Sequence, residues 1–152
     1  MSAPPSTSQA DLSRREEAAV SSAALSEAPW KLAAAAGVAV TGADILAHLL
    51  FLHFELFAPL SLGVAAFFAA AGAGALVRGR HSRALRWART APWRFAVLPG
   101  VAAAIIVFVL SVTHGGSIPG SVYTALWHGA ISFGVTGGVG SVVRPRRARI
   151  TS

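Results

Sequence analysis

Ionisable side chains inside long apolar runs are the residues of this sequence that could do chemistry. Asp44 and His48 lie in the first such run, and His128 lies in the last. Burying an ionisable group in a membrane is costly, so such groups are candidates for a functional site. At about 100° per residue, Thr41, Asp44, His48 and Glu55 fall within about 60° of one another on one helix face. They predict a polar stripe that runs from mid-membrane to the outer surface.

The last apolar run carries a comparable line of polar residues. Thr124, His128 and Ser132, preceded by Ser121, lie within about 80° of one another on a helical wheel. By residue count, His48 and His128 both fall in the outer half of the bilayer. Because the first and last runs would cross the membrane in opposite directions, the two stripes could face each other inside a helical bundle.

Three hypotheses compete for this polar cluster. The first is an interhelical hydrogen-bond network, in which Asp44 pairs with His48 at i,i+4 and His128 bonds a hydroxyl or a carbonyl. The second makes Asp44 the gating carboxylate of a proton-coupled path, with a histidine as the neighbouring acceptor. The third uses His48 and His128 as axial ligands of a b-type haem, or all three side chains as a metal site. Two histidines on separate helices specify no cofactor, so we expect none, with haem b as the alternative.

Four long apolar runs must position these residues, and they predict four transmembrane helices. The runs span about 32–54, 60–77, 95–113 and 121–143. Each is near the roughly 20 residues that cross a bilayer, and backbone groups in lipid must be satisfied within the segment. The predicted fold class is therefore all-α, an integral membrane four-helix bundle over 29–143. A disordered or partly helical tail over 1–28 precedes it, and a basic tail over 144–152 follows.

The basic residues of the chain all fall on one side of this topology. Thirteen residues are Lys or Arg, and six are Asp or Glu. The loops around 55–59 and 114–120 contain no basic residue, whereas six arginines lie between Arg78 and Arg94. The positive-inside rule places both termini and this central loop in the cytoplasm. The preference for Arg, Ala and Gly suggests a bacterium and its inner membrane, and we expect the Arg78–Arg94 loop to lie on anionic headgroups.

An internal repeat is the most unusual feature of the sequence. Ala-Pro-Trp-Lys at 28–31 and Gly-Val-Ala at 37–39 recur as Ala-Pro-Trp-Arg at 91–94 and Gly-Val-Ala at 100–102. Each copy would begin a two-helix hairpin from the cytoplasmic side, so the halves would be parallel repeats. Beyond Ala102 the match dissolves. The alternative is that two entry points converged independently on Pro-Trp-basic, which caps and anchors helices.

Small residues predict close helix packing in two of the runs. Gly72 and Gly74 lie in the second run, and Gly134 and Gly138 form a GxxxG pattern in the fourth. Such residues let helix backbones approach, which drives association in lipid, where hydrophobicity gives no net force. We expect packing within one chain first, and a homo-oligomer or a larger membrane complex second.

Composition and motifs argue against several function classes. The chain has no cysteine, which removes disulfides, thiolate nucleophiles and covalent c-type haem. It has no nucleophile elbow, HExxH, P-loop or dinucleotide fingerprint, so we expect no enzyme. The net charge of +7 follows from topology and predicts no nucleic-acid partner. We expect a non-enzymatic accessory or self-associating membrane module; the alternatives are a small proton-coupled transporter using Asp44 and His48, and a haem-binding electron-transfer subunit.

Overall fold

The computed structural model describes residues 28–51, 56–78 and 91–143. Within them all regular secondary structure is α-helical, which confirms the predicted all-α class. The helices are α1 (Trp30–Leu50), α2 (Phe57–Arg78), α3 (Pro92–Thr113) and α4 (Ile118–Val143). Residues 1–27, the arginine-rich segment from 79 to 90, the basic tail from 144 onward and Glu55 lie outside the described residues, as do the expectations made for them.

Three of the four helices are long and apolar enough to cross a membrane. Their mean hydropathy is 1.6 for α1, 2.0 for α2 over Phe57–Val77 and 2.6 for α3. The sequence predicted four such helices. The fourth, α4, is the longest at 26 residues, but His128 and its many Gly, Ser and Thr residues make it less apolar than the others. Composition therefore supports three of the four spans, and α4 needs an argument from packing.

The helix ends follow from local chemistry. Pro29 immediately precedes α1 and Pro92 is the first residue of α3, the position where the missing N–H of proline costs nothing. At the end of α3, the Gly116 N–H donates to the Ser111 carbonyl at 2.9 Å and the Gly115 N–H donates to the Val112 carbonyl at 3.1 Å. Gly115 has φ of 89°, which completes a Schellman turn into α4.

The helices pack as two hairpins in contact with each other. Hairpin 1 consists of α1 and α2, and hairpin 2 consists of α3 and α4. Helix α2 also packs on both α3 and α4, whereas the extensive packing of α1 is with α2. At one end of the bundle, a side chain at Gly74 would collide with Pro29 and one at Gly140 would collide with Pro92. The starts of α1 and α3 therefore lie beside the ends of α2 and α4.

In hairpin 1 the two helices cross at a pair of glycines. A Cβ atom built on Gly37 would lie 3.1 Å from the Gly63 carbonyl oxygen and 3.2 Å from the Phe67 Cβ. A Cβ atom built on Gly63 would collide with the Thr41 hydroxyl. The Trp30 ring stacks on Phe67 with a centroid distance of 5.9 Å. The absence of side chains at Gly37 and Gly63 therefore lets the backbones of α1 and α2 approach closely.

Hairpin 2 repeats this crossing residue for residue. A Cβ atom on Gly100 would lie 3.1 Å from the Gly129 carbonyl oxygen and 2.9 Å from the Phe133 Cβ, and one on Gly129 would lie 2.9 Å from the Ala104 Cβ. Trp93 packs on Phe133 with a centroid distance of 5.4 Å. The first helices correspond at an offset of 63 residues and the second helices at an offset of 66.

The correspondence between α2 and α4 extends the repeat beyond Ala102. At a single offset of 63 residues, the match is lost past that point. Identical residues stand at the offset of 66 along the whole of both helices: Leu60 and Leu126, Gly63 and Gly129, Phe67 and Phe133, Gly72 and Gly138, Gly74 and Gly140, and Val77 and Val143. Shared glycine contacts and shared identities in both helices favour duplication over convergence at two entry points.

The two hairpins meet where α2 lies over the groove between α3 and α4. A Cβ atom on Gly72 would lie 2.8 Å from Thr136 atoms of α4 and 2.9 Å from Pro99 of α3. Leu76, fully buried, lies close to Gly140. Gly72 and Gly74 therefore pack within the chain. A Cβ atom built on Gly134 or Gly138 would have no heavy atom within 4 Å, so a packing role for these two glycines stays a prediction.

We expect Gly129→Ala to lower the stability of the protein by about 1–3 kcal/mol, because the added methyl group meets a backbone carbonyl and a Cβ atom that cannot move aside cheaply. Thermal unfolding of the purified protein in detergent measures the effect. Gly42→Ala is the matched control, since a Cβ atom there has nothing within 4 Å. Equal stability of the two variants would contradict the crossing described for hairpin 2.

Candidate functional site

Asp44 and His48 form a polar pair on the C-terminal half of α1. The His48 Nδ1 atom lies 2.8 Å from the Asp44 backbone carbonyl and 3.6 Å from the Asp44 Oδ2 atom. A distance of 3.6 Å is too long for a direct hydrogen bond, so the ring bonds the backbone and only neighbours the carboxylate. The two side chains are 29% and 25% exposed. The structure therefore brings these two predicted residues together.

The ring of His128 makes the same local contact on α4. Its Nδ1 atom lies 2.8 Å from the Thr124 backbone carbonyl, four residues earlier. A carbonyl oxygen only accepts, so Nδ1 must carry the proton in both histidine rings. In the neutral form, Nε2 is then the nitrogen with the free lone pair. The helix thus fixes which nitrogen of each ring could accept a proton or bind a ligand.

The helix packing separates the two predicted polar stripes. Helix α1 packs extensively on α2, whereas α4 packs on α2 and α3. His48 and His128 therefore stand on helices that do not pack along each other, and within one chain the stripes form two groups instead of one cluster. Among residues 28–51, 56–78 and 91–143, no group of three or more His, Cys, Asp or Glu side chains is placed to hold a metal ion.

One hydroxyl group of each stripe bonds across a helix interface. Thr41 donates to the Pro59 carbonyl of α2 at 3.3 Å, and the buried Ser132 donates to the Pro99 carbonyl of α3 at 3.4 Å. Thr124 donates to the Gly120 carbonyl of its own helix at 3.0 Å. These bonds fit the hydrogen-bond hypothesis, because they satisfy polar atoms between or along apolar helices.

Sequence reasoning missed one buried polar contact. The hydroxyls of Ser111 and Ser121 lie 2.9 Å apart next to the turn that joins α3 to α4. Ser111 occupies the repeat position of His48, since 48 and 111 differ by 63. The repeat itself was the signal that could have drawn attention to it. The pair joins the two helices of hairpin 2 beside the Schellman turn.

A groove of about 640 Å³ opens on one side of hairpin 1, and Ile106 of α3 also lines it. Its walls are Val38, Thr41 and Ile45 of α1 and Val64 and Phe67 of α2, and the Thr41 hydroxyl is their one polar side-chain group. No titratable side chain lines it. Its chemistry suits an apolar chain and offers no group for acid-base or ligand chemistry, so it does not join the Asp44–His48 pair into a reaction site.

Comparisons with known proteins do not assign a function to this site. The chain matches no protein-family model, no curated protein and no solved structure.

We expect both His48 and His128 to be in the Nδ1-protonated tautomer when neutral, because each Nδ1 donates to a carbonyl. Nitrogen chemical shifts of ¹⁵N-labelled histidine in the detergent-solubilised protein distinguish a protonated ring nitrogen from one with a lone pair. His48→Gln and His128→Gln variants assign the signals. Neutral rings protonated at Nε2 would contradict the two helix-backbone bonds.

Proposed function

We propose that this protein is a small integral membrane module of two helical hairpins with no catalytic role, which acts by packing within the bilayer. The observation that carries the proposal is the apolar outer surface of the bundle. Large hydrophobic side chains are exposed on all four helices, among them Leu46 at 63%, Ile105 at 58%, Leu126 at 65% and Val142 at 85%. In water a surface of this kind would drive aggregation, whereas lipid tails would cover it.

Packing supports α4 as the fourth membrane span. Ser121 meets Ser111 near one end of α3, Gly129 meets Gly100 at its middle, and Gly140 comes against Pro92 at the other end. Helix α4 therefore runs antiparallel to α3 along its full length and would share its depth in the bilayer. The less apolar composition of α4 fits a helix with one face buried on α2 and α3.

Charge supports the proposed orientation. Lys31 and Arg94 are in the first turns of α1 and α3, and Arg78 is the last residue of α2. Within the helices Asp44 is the one acidic residue. The positive-inside rule favours a bundle whose basic end faces the cytoplasm, with both termini there, in a bacterial inner membrane. Its proposed partners are the bilayer, anionic headgroups near Arg78–Arg94, and a homo-oligomer or a larger membrane complex.

We expect alkaline phosphatase fused after Ser152 to be inactive in bacterial cells and a fluorescent protein fused there to be bright, because the end of α4 is proposed to be cytoplasmic. An alkaline phosphatase insertion after Gly116, in the turn between α3 and α4, should be active. The chain should also stay in the membrane pellet after alkaline carbonate extraction. The opposite reporter pattern, or release by carbonate, would contradict the proposal.

A proton-coupled transporter is the second candidate, and the contact between Asp44 and His48 favours it. A carboxylate 3.6 Å from an imidazole on a membrane-spanning helix can exchange a proton with it through a bridging water. The Nδ1 bond of His48 leaves Nε2 as the acceptor nitrogen of the neutral ring. The pair is open enough for water to reach, since each side chain is at least a quarter exposed.

If this second candidate is right, Asp44→Asn should reduce proton flux at least tenfold in proteoliposomes that carry a pH-sensitive dye, because the amide cannot take up and release a proton. Thr113→Ala is the matched control, since the Thr113 hydroxyl bonds only carbonyls of its own helix turn. Flux that survives Asp44→Asn, or the absence of flux in the unmodified protein, would remove the transporter and leave the packing module.

A further inference from the structure

One face of α2 is buried in the bundle, whereas the equivalent face of α4 is not. In α2 this face packs on hairpin 2, and all five of its residues are buried: Ser61, Ala65, Ala69, Gly72 and Leu76. At the offset of 66, the equivalent residues of α4 are Trp127, Ile131, Val135, Gly138 and Val142. None of these five is buried, and Trp127 is 59% and Val142 is 85% exposed. We call the five α4 residues the donor face.

The groove that receives α2 also has an open equivalent. In hairpin 2, the groove is lined by four buried residues: Pro99, Ala103, Ser132 and Thr136. At the offsets of 63 and 66, its counterpart in hairpin 1 is lined by Ala36, Val40, Ala66 and Ala70, none of which is buried. We call this second groove the acceptor groove. It lies on the opposite side of hairpin 1 from the groove next to Phe67.

We propose that the donor face of one chain docks into the acceptor groove of a second copy of the same chain, repeating between copies the contact that joins the two hairpins within a copy. The proposal rests on the membrane location proposed above. The occupant follows from the repeat, because the internal interface shows which helix face fills a groove of this type. The donor face is the repeat equivalent of the α2 face, and the acceptor groove is the repeat equivalent of the groove in hairpin 2. Those two equivalents are in contact with each other within the chain.

The side chains at the point of closest approach leave room for this docking. The acceptor groove has Ala36 where hairpin 2 has Pro99, and Ala70 where hairpin 2 has Thr136. The donor face keeps a glycine, Gly138, in place of Gly72, which contacts Pro99 and Thr136 within the chain. The side chains on both sides of the acceptor groove are therefore smaller at this point than those in hairpin 2. The backbone of α4 can approach them at least as closely as α2 approaches hairpin 2.

Toward the outer end of the helices the side chains of the proposed contact become larger. Val40 stands where hairpin 2 has Ala103, and the donor face carries Val135 and Ile131 where α2 carries Ala69 and Ala65. Because the distance between two helix axes depends on the side chains at their contact, we expect the docked helices to diverge from Gly138 outward. The wedge between them is then filled by apolar side chains from both copies, as close packing requires.

The internal geometry also indicates how many copies close the assembly. Gly63 faces α1 and Gly72 faces hairpin 2, and their separation of nine residues turns α2 by about half a revolution. Because α1 packs on the face of α2 opposite the one that contacts Pro99 and Thr136, the plane of hairpin 1 would stand about a quarter turn from that of hairpin 2. A repeated head-to-tail contact closes into a ring when its rotation divides a full turn. Four hairpins, hence two chains, complete that turn, so the assembly is a dimer with two copies of the contact.

The dimer would cover the Asp44–His48 pair. Gly138 comes level with Ala36 of the second copy, as Gly72 is with Pro99. Trp127 stands eleven residues before Gly138, about 16 Å along α4, and is therefore level with the turn that carries Asp44 and His48 in the second copy. The indole N–H is a donor that can reach a carboxylate there. The exposed Trp127 ring of one copy would then be buried against the partly exposed Asp44 of the other copy.

Cysteine cross-linking tests the contact directly, because the native chain contains no cysteine. In native membranes, oxidation of a double variant carrying Ala36→Cys and Gly138→Cys should give a disulfide-linked dimer and no higher ladder on a non-reducing gel. Ala36→Cys combined with Val101→Cys is the matched control, because Val101 is an exposed residue outside the donor face. A Ser111→Cys, Ser121→Cys variant should form a bridge within the chain and shows that the oxidant reaches the helices.

Failure of the cross-link while the Ser111–Ser121 variant oxidises would overturn the proposed interface. Equal cross-linking of the Val101 control would do so as well, and a ladder beyond the dimer would overturn the two-chain closure. A chain that carbonate releases from the membrane would instead overturn the proposed function, so the two failures are distinguishable.

A bulky substitution gives a second test that does not depend on disulfide chemistry. Gly138→Leu should convert the dimer to a monomer, measured by light scattering in detergent or by photobleaching steps in nanodiscs, while its helical content stays unchanged. Gly42→Leu is the control, because it also adds a side chain where no atom lies within 4 Å but leaves the donor face intact. A monomeric native protein, or a Gly138→Leu variant that remains dimeric, would contradict the inference.

Discussion

At each hairpin crossing, a glycine on one helix places its backbone so near the partner helix that an added methyl group would meet a carbonyl oxygen at about 3 Å. This approach is the constraint on which the bundle depends. In lipid, apolar side chains gain little by touching each other instead of acyl chains, so helices associate through backbone proximity, van der Waals contact and hydrogen bonds. Gly37 with Gly63, and Gly100 with Gly129, provide that proximity. Trp30 and Trp93 then fill the widening space beside each crossing by packing on Phe67 and Phe133.

The polar residues are distributed differently from the packing residues. Hairpin 1 carries Asp44 and His48 where hairpin 2 has Val107 and Ser111, and hairpin 2 carries His128 where hairpin 1 has Leu62. Because each hairpin forms the same crossing with a different residue at these positions, the crossing does not require the ionisable groups. The crossing glycines and the Trp–Phe pairs beside them keep their identities between the halves, and the ionisable residues do not. Differences of this kind mark the positions where the two halves have acquired separate properties.

Sequence reasoning identified the helices and the Asp44–His48 pair because both depend on local order. Apolar runs reveal helices long enough to bury their backbone, and i,i+4 spacing places two side chains together on any helix. It could not place His128 relative to His48, because periodicity shows which residues share a face of one helix and not which helices touch. It also lost the repeat after Ala102, since three extra residues change the offset before α4 and half of the shared positions there are isolated glycines. The Ser111–Ser121 contact depends on the geometry of the Gly115 turn, which composition does not specify.

Each hairpin has an even number of helices, and this affects how such a chain can evolve. A unit that enters and leaves on the same side of a membrane can be added, lost or duplicated as one genetic event without inverting anything downstream. In the proposed topology, by contrast, loss of a single helix would invert every later segment and carry its arginines to the other side of the membrane. The hairpin boundary between α2 and α3 is therefore the place where this gene can lengthen or divide with least damage. A chain of one hairpin, meeting copies of itself through the same groove, is the simplest form from which the present protein could have grown.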